Sequence, residues 1–458
     1  MPILAWFVSG IVMAYTGGMP RLTAGARLAH LEPLNLLAIR ASLPAAASRV
    51  QRPPFDSPVI NTVLGRPAYH FRTGKPAVVF ADTGQLLEHI GPKVSVQIAA
   101  EFLGIAADRV RYLEELRTAD QWTVGQAIDM PVHKLTADDG HGTELYVSES
   151  LGEVVLMTER RDRALAWIGA IPHWWYVAAF RRQAALWRFS ILSASAGGAL
   201  LAALGLVVGI AQAGSRYRGA MRWHYRAGIV FGVFAVSWLA SGWLSLQPWN
   251  WAPVGDAADG IEAALGRTPI DVQGSLPAIA ERAADFGRAA DGPIKEIELT
   301  NRFGDPAYIV RTDTTRAVLS ARTLRPLPPV TPEEVKARIE ANAPTFAVAT
   351  STWLTGYDSY YRDRASPLPV VRIDLRDADA TSLYVDSMTG AAVATFTRRQ
   401  RVERWIYHGA HSLDVPFAYS HRGLWRAIVI ALCTGGAVLS GTAAMMTVKR
   451  FGRRTFQR

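Results

Sequence analysis

The sequence holds one cysteine, Cys433, and that scarcity excludes much. No intramolecular disulfide can form, and neither a cysteine-based zinc site nor a Cys-ligated iron–sulfur cluster can be built. Cys433 lies inside an apolar run and reads as a small buried or lipid-facing residue. A Gly-rich phosphate loop, a Gly-x-Ser-x-Gly elbow and a His-Glu-x-x-His helix are all missing. No enzyme nucleophile stands out. Asp138-Asp139 and Glu114-Glu115 read as solvated surface charge rather than paired catalytic acids. Basic patches interleaved with aromatics are absent too, so the net charge of +10 does not point to nucleic acid. Much of the excess arginine sits beside apolar runs, where membrane topology explains it.

Charge is also missing from three long runs. A helix needs about 20 apolar residues to cross the hydrocarbon core. Leu186 to Ala211 contains only Arg188, Ala227 to Leu246 contains no charge, and Leu424 to Val448 contains only Arg426. Pro2 to Tyr15 is apolar but short, with no basic segment before it. It reads as a first span with a truncated start rather than a signal peptide. Tryptophans near the run ends, Trp6, Trp187, Trp243, Trp249 and Trp425, fit an interfacial belt. Arg216, Arg218, Arg222 and Arg226 crowd one short loop, and Lys449, Arg450, Arg453, Arg454 and Arg458 crowd the tail. The positive-inside rule makes both cytoplasmic. The long segments then face the other side, the periplasm in a Gram-negative inner membrane.

The expected division follows. A truncated first span covers 1–16, and an extracytoplasmic domain covers 17–165. An interfacial segment and second span cover 166–212, a cytoplasmic loop 213–222, and a third span 223–248. A second extracytoplasmic domain covers 249–403, an interfacial segment and fourth span 404–448, and a cytoplasmic tail 449–458.

This order is a duplication. Tyr146-Val-Ser-Glu-Ser-Leu-Gly recurs as Tyr384-Val-Asp-Ser-Met-Thr-Gly at an offset of 238, which continues ungapped through Trp167/Trp405, His173/His411, Trp187/Trp425 and Gly197-Gly198/Gly435-Gly436. Upstream, Gly65-Arg-Pro-Ala-Tyr69 matches Gly304-Asp-Pro-Ala-Tyr308 at 239. Trp6-Phe-Val-Ser9-Gly10 matches Trp238-Leu-Ala-Ser241-Gly242 at 232. Each unit reads as helix, soluble domain, helix. Two units give a four-span helical bundle with a pseudo-two-fold axis along the membrane normal.

The soluble parts read as small α+β modules. Pro67 to Phe71 and Ala77 to Ala81 form strands around a Thr73-Gly74-Lys75 turn, and Glu144 to Val147 pairs with Val154 to Thr158. Ala307 to Arg311 repeats a strand. Val94 to Phe102 is an amphipathic helix, and Thr331 is the N-cap of a helix running to Asn342.

Of the ten histidines, most, such as His30, His70, His89, His133 and His141, have no ligand-like spacing and read as surface or satisfied core residues. His173 and His411 differ, because they hold equivalent repeat positions just outside a span. A two-fold axis brings equivalent positions together, and two imidazoles facing each other across an axis meet the requirement of a bis-His haem. His224 lies at the other end of the third span, and its repeat partner would fall in the missing part of the first helix. His408 and His421 are weaker candidates, since Ala170 and Gln183 hold their equivalent positions. The competing reading makes these histidines interfacial anchors.

The segments Trp223-His224-Tyr-Arg-Ala-Gly228, Gly169-Ala-Ile-Pro-His173-Trp174 and Tyr407-His408-Gly409-Ala-His411-Ser412-Leu413-Asp414 resemble the PepSY-associated transmembrane family. Tyr384 to Gly390 resembles the closing hairpin of a PepSY domain. The resemblance implies four spans, two extracytoplasmic PepSY-like domains, and haem b held by His173, His411 and His224. Relatives of that kind include iron-regulated inner-membrane proteins and ferric-siderophore reductases. It therefore implies electron transfer from an unidentified donor to a ferric chelate. It also implies a first-helix histidine, which this sequence lacks. The alternative is a membrane-anchored PepSY module that binds or regulates a periplasmic protein such as a protease. A transporter fits less well, because the spans lack internal acids.

Overall fold

The computed structural model describes residues 2–50, 57–72, 76–253, 257–266, 279–363 and 366–455. The Thr73-Gly74-Lys75 turn and Arg458 lie outside them. Among the described residues three helices are long and apolar enough to cross a membrane: Ala184–Ala211, Gly219–Ser245 and Arg422–Arg450 within the longer helix Arg422–Thr455. They are referred to as the second, third and fourth apolar helices. The first, Pro2–Thr16, has 15 residues, which at 1.5 Å per residue is about 22 Å, short of a bilayer core.

Glycines let aromatic rings seat closely in the bundle. The third helix packs on both the second and the fourth, and the first packs on the fourth. At Gly436 the Phe7 ring comes so close that an added Cβ would meet it at 2.5 Å, and at Gly435 the Phe231 ring does the same. Close approach of backbones through small residues is the usual route to helix association in lipid, where no hydrophobic force acts between helices.

Among the described residues fourteen strands build the sheets. β1 (Val59–Val63), β2 (Arg66–Phe71) and β3 (Ala77–Phe80) belong to the first unit, as do β4 (Val110–Leu116), β5 (Val132–Ala137), β6 (Glu144–Ser148) and β7 (Val154–Thr158). The second unit repeats them as β8 (Glu296–Arg302), β9 (Asp305–Arg311) and β10 (Arg316–Ser320), then β11 (Val348–Leu354), β12 (Val370–Leu375), β13 (Ser382–Asp386) and β14 (Ala392–Phe396). Two four-stranded meanders result, β4-β5-β6-β7 and β11-β12-β13-β14. The helix Pro92–Leu103 buries Ile98, Ala99 and Phe102 on the first, and Pro332–Asn342 buries Val335 and Ile339 on the second. Thr331 and Glu334 form a reciprocal capping box, which sets that helix start.

The remaining strands of both units merge into one antiparallel sheet, β10-β9-β8-β1-β2-β3. Its central pair is informative. Val59 sits opposite Glu298, and 298 − 59 = 239, the offset of these hairpins. A residue facing its own repeat equivalent marks a dyad.

The duplication also governs polar detail. The Tyr146 hydroxyl donates to Asp120 at 2.9 Å and that of Tyr384 to Asp358 at 2.8 Å. Arg163 donates to the Gly142 carbonyl at 2.9 Å and Arg401 to the Ala380 carbonyl at 2.7 Å. Each pair is separated by 238 residues.

Candidate functional site

Below β7 the chain forms the helix Arg160–Ile168, breaks at Gly169, and makes a short helix, Ala170–Trp174, that carries His173. Below β14 the helix Arg398–Arg404 runs on into a π-helical turn, Trp405–His411. Such turns are rare and occur frequently at functional sites. Two residues beyond each histidine a non-glycine residue adopts a left-handed conformation, Trp175 at φ 55° and Leu413 at φ 51°. Left-handed backbone at a branched or bulky residue is strained and persists where surroundings enforce it. The enforcing contacts are visible. Trp187 Nε1 donates to the Trp174 carbonyl at 2.9 Å, and Trp425 Nε1 to the Ser412 carbonyl at 3.1 Å. These two tryptophans therefore clamp the histidine turns, a role more specific than an interfacial belt.

The two turns bring His173 and His411 together, with ring centres 6.1 Å apart and planes crossed at 64°. Each ring is fixed through Nδ1. His411 Nδ1 lies 3.0 Å from the Trp238 carbonyl and 3.3 Å from Ser241 Oγ. A carbonyl can only accept, so Nδ1 carries the proton. His173 Nδ1 lies 3.0 Å from Ser9 Oγ, and Ser9 Oγ–H donates to the Trp6 carbonyl. The hydroxyl lone pair is then the acceptor for Nδ1–H, and the Trp6 backbone contributes as well. In both histidines Nε2 keeps its lone pair. Burial, then the neighbouring His411, pushes His173 down to about 4, with the Trp6 backbone opposing. Burial also lowers His411, with the Trp238 backbone opposing. Both are neutral at pH 7, the form that ligates metal.

The pair faces a cavity of about 620 Å³. Its walls are mainly aromatic and aliphatic: Trp6, Phe7, Trp187, Trp238 and Trp425 among them, with Glu403 and Tyr407 as polar members. The Tyr407 ring stacks near His411, with centres 5.7 Å apart. Cys433 contributes to the same wall. Gly242 makes room for the His411 imidazole, and Gly10 for the Cys433 thiol. A Cβ at Gly242 would lie 3.0 Å from His411 Cε1, and one at Gly10 would lie 3.9 Å from His173 Cε1 and 3.2 Å from Cys433 Sγ.

The other candidates are placed elsewhere. His224 is tied through Nδ1 to the Leu439 carbonyl and Thr442 Oγ1, both at 3.2 Å. Seventeen residues separate it from Ser241 on one helix, about 25 Å along the axis, and no second histidine joins it among the described residues. His408 packs on Tyr407 and does not line the cavity; burial, then Arg362 and Arg404, hold it down at about 4. His421 packs on Phe417. His70 is fully buried beside Glu153, at 3.3 Å, and His133 is buried near the Tyr112 hydroxyl. His30 stacks on Phe102, and His89 lies exposed beside Glu149.

The donor set tests what the site could hold. A metal ion held by both imidazoles would need their ring centres roughly 6 Å apart with both Nε2 atoms turned toward it, and the centres lie 6.1 Å apart. Among the described residues no third His, Cys, Asp or Glu completes a cluster with them. Two imidazoles beside an aromatic cavity would suit a metal ion that brings its remaining ligands with it in an organic cofactor. No family model and no curated protein matches this chain.

Proposed function

We propose that the chain is a b-type haem protein of a bacterial inner membrane, with four spans and its sheet domains in the periplasm, that carries electrons to an extracytoplasmic acceptor. One observation supports this above the others. His173 and His411 are repeat equivalents that meet across the dyad with both Nε2 lone pairs free and both Nδ1–H groups engaged. Second-shell bonds of this kind orient metal-binding histidines and raise their basicity. A haem, if held there by His173 and His411, would supply one-electron exchange. The chain does the rest. Ser9, Ser241 and the Trp6 and Trp238 backbones fix tautomer and ring direction. Trp187 and Trp425 lock the turns, and aromatic side chains line the cavity.

The PepSY-associated resemblance supports the same reading and adds the acceptor class, a ferric chelate. The cytoplasmic haem implied by His224 is not part of the proposal, since only that one histidine is placed there. The test is a reduced-minus-oxidised absorption spectrum of the purified chain, followed by mixing the reduced protein with ferric citrate. A b-type spectrum reoxidised by the chelate is expected. A haem-free protein overturns the cofactor, and a haem indifferent to the chelate overturns the acceptor class.

A further inference from the structure

The two helices that join the sheet domains to the bundle share a surface feature unrelated to the cavity. On Arg160–Ile168, the residues Arg160, Arg161, Ala164, Trp167 and Ile168 fall at i, i+1, i+4, i+7 and i+8, one helical face. Arg398, Arg399, Val402, Trp405 and Ile406 repeat that spacing at an offset of 238. Nine of the ten are exposed, Ile406 being half-buried. The apolar ones are not core residues: Trp167 is 50 % and Ile168 56 % accessible, Val402 48 % and Trp405 37 %. Single exposed apolar residues need no explanation. The same stripe twice, with a pair of arginines at the same end, does.

Depth follows from a neighbour. A Cβ at Gly169 would meet Val12 Cγ1 at 3.1 Å, so Trp167 and Ile168 sit level with the last turns of the first apolar helix. Arg160 and Arg161 lie seven residues earlier, about 10 Å back along the helix axis toward the sheet domain. The headgroup layer occupies roughly 5–8 Å on each side of the hydrocarbon core, within reach of an arginine side chain. Among the described residues none of the four guanidinium groups forms an ion pair, and the exposed Asp162 lies off the stripe. A planar guanidinium fork matches phosphate geometry.

We propose that these stripes are two dyad-related docking sites for anionic phospholipid, in the leaflet on the side of the sheet domains. Arg160-Arg161 and Arg398-Arg399 hold the headgroup phosphates, while Trp167, Ile168, Val402 and Trp405 sit at the acyl boundary. The site does not depend on haem.

The test uses the full chain in mild detergent, equilibrated with an equal mixture of phosphatidylglycerol and phosphatidylcholine, with retained lipid counted by native mass spectrometry. Wild type should keep phosphatidylglycerol selectively, and the quadruple variant R160Q/R161Q/R398Q/R399Q should keep about tenfold less. Equal retention of both lipids by wild type, or undiminished retention by the variant, overturns the proposal. Should the quadruple variant fail to fold, a salt titration of wild type decides. Selectivity should fall as salt rises, and selectivity unchanged in high salt overturns the assignment.

Discussion

Gly242→Ala isolates the positioning of His411 from its identity. The new Cβ would stand 3.0 Å from Cε1 and 3.3 Å from Nδ1 of the ring. Carbon atoms prefer about 3.5–4.0 Å, so the imidazole must retreat by roughly half an ångström. That stretches the 3.0 Å bond from Nδ1 to the Trp238 carbonyl to the limit of a hydrogen bond. The lost bond costs about 1 kcal/mol and the crowding another 1–3 kcal/mol. Alanine repays about 1 kcal/mol of helix propensity, which leaves a net loss of about 1–3 kcal/mol and a lower melting temperature. Ligand affinity should not be spared, because disturbing a second-shell partner typically costs 10–100-fold. Gly10→Ala is the internal control. Its Cβ would lie 3.9 Å from His173, ordinary contact, and would press on Cys433 instead. The assay is haem titration of the apoprotein, followed at the Soret band. We expect Gly242→Ala to weaken binding about 10–100-fold and Gly10→Ala to do much less, with Cys433→Ala relieving what remains. Equal losses in the two variants, or none in Gly242→Ala, would refute the positioning argument.

Three further outcomes are expected. Gly435→Ala drives a methyl into the Phe231 ring, whereas its repeat equivalent Gly197 has nothing within 4 Å; thermal melts should show a loss of about 1–3 kcal/mol for the first and none for the second. Burial opposes ionisation of Glu153, but His70, Arg72 and Arg27, with a hydrogen bond from Asn61, hold it at about 2. Its folded value lies below the ordinary 4.5, so its stabilisation is complete above that pH and is lost as pH falls through about 2. Melting temperature should fall across that window, and Glu153→Gln should flatten the fall while costing about 3 kcal/mol or more at neutral pH. His224→Ala should leave the spectrum of a haem at His173 and His411 unchanged, being about 25 Å distant; a spectral shift in that variant would speak against the distance argument.

Much of the architecture is legible in the chain because duplication writes each signal twice. The offset of 238 paired His173 with His411, and the structure brings them to 6.1 Å. The strands Pro67 to Phe71 and Val154 to Thr158, and the Thr331 cap, appear as expected, since periodicity and capping are local. The joint six-stranded sheet was not legible. β1 meets β8 across 239 residues, and no local pattern encodes that pairing. Ser9-Gly10 and Ser241-Gly242 were visible as a repeat, yet their purpose was not. Serine holding a ring nitrogen and glycine yielding space to it become meaningful only when helix and turn are juxtaposed. The tryptophans at the helix heads looked like belt residues, because composition cannot distinguish a lipid-facing indole from one that donates to a turn carbonyl.

The most direct measurement compares the haem content and low-spin spectrum of the purified wild-type chain with those of His173→Ala and His411→Ala. The geometry predicts bound b-type haem with a bis-imidazole spectrum in wild type, and loss of that spectrum in either single variant. Wild type without haem from haem-sufficient cells, or a bis-imidazole spectrum surviving in either variant, would contradict it.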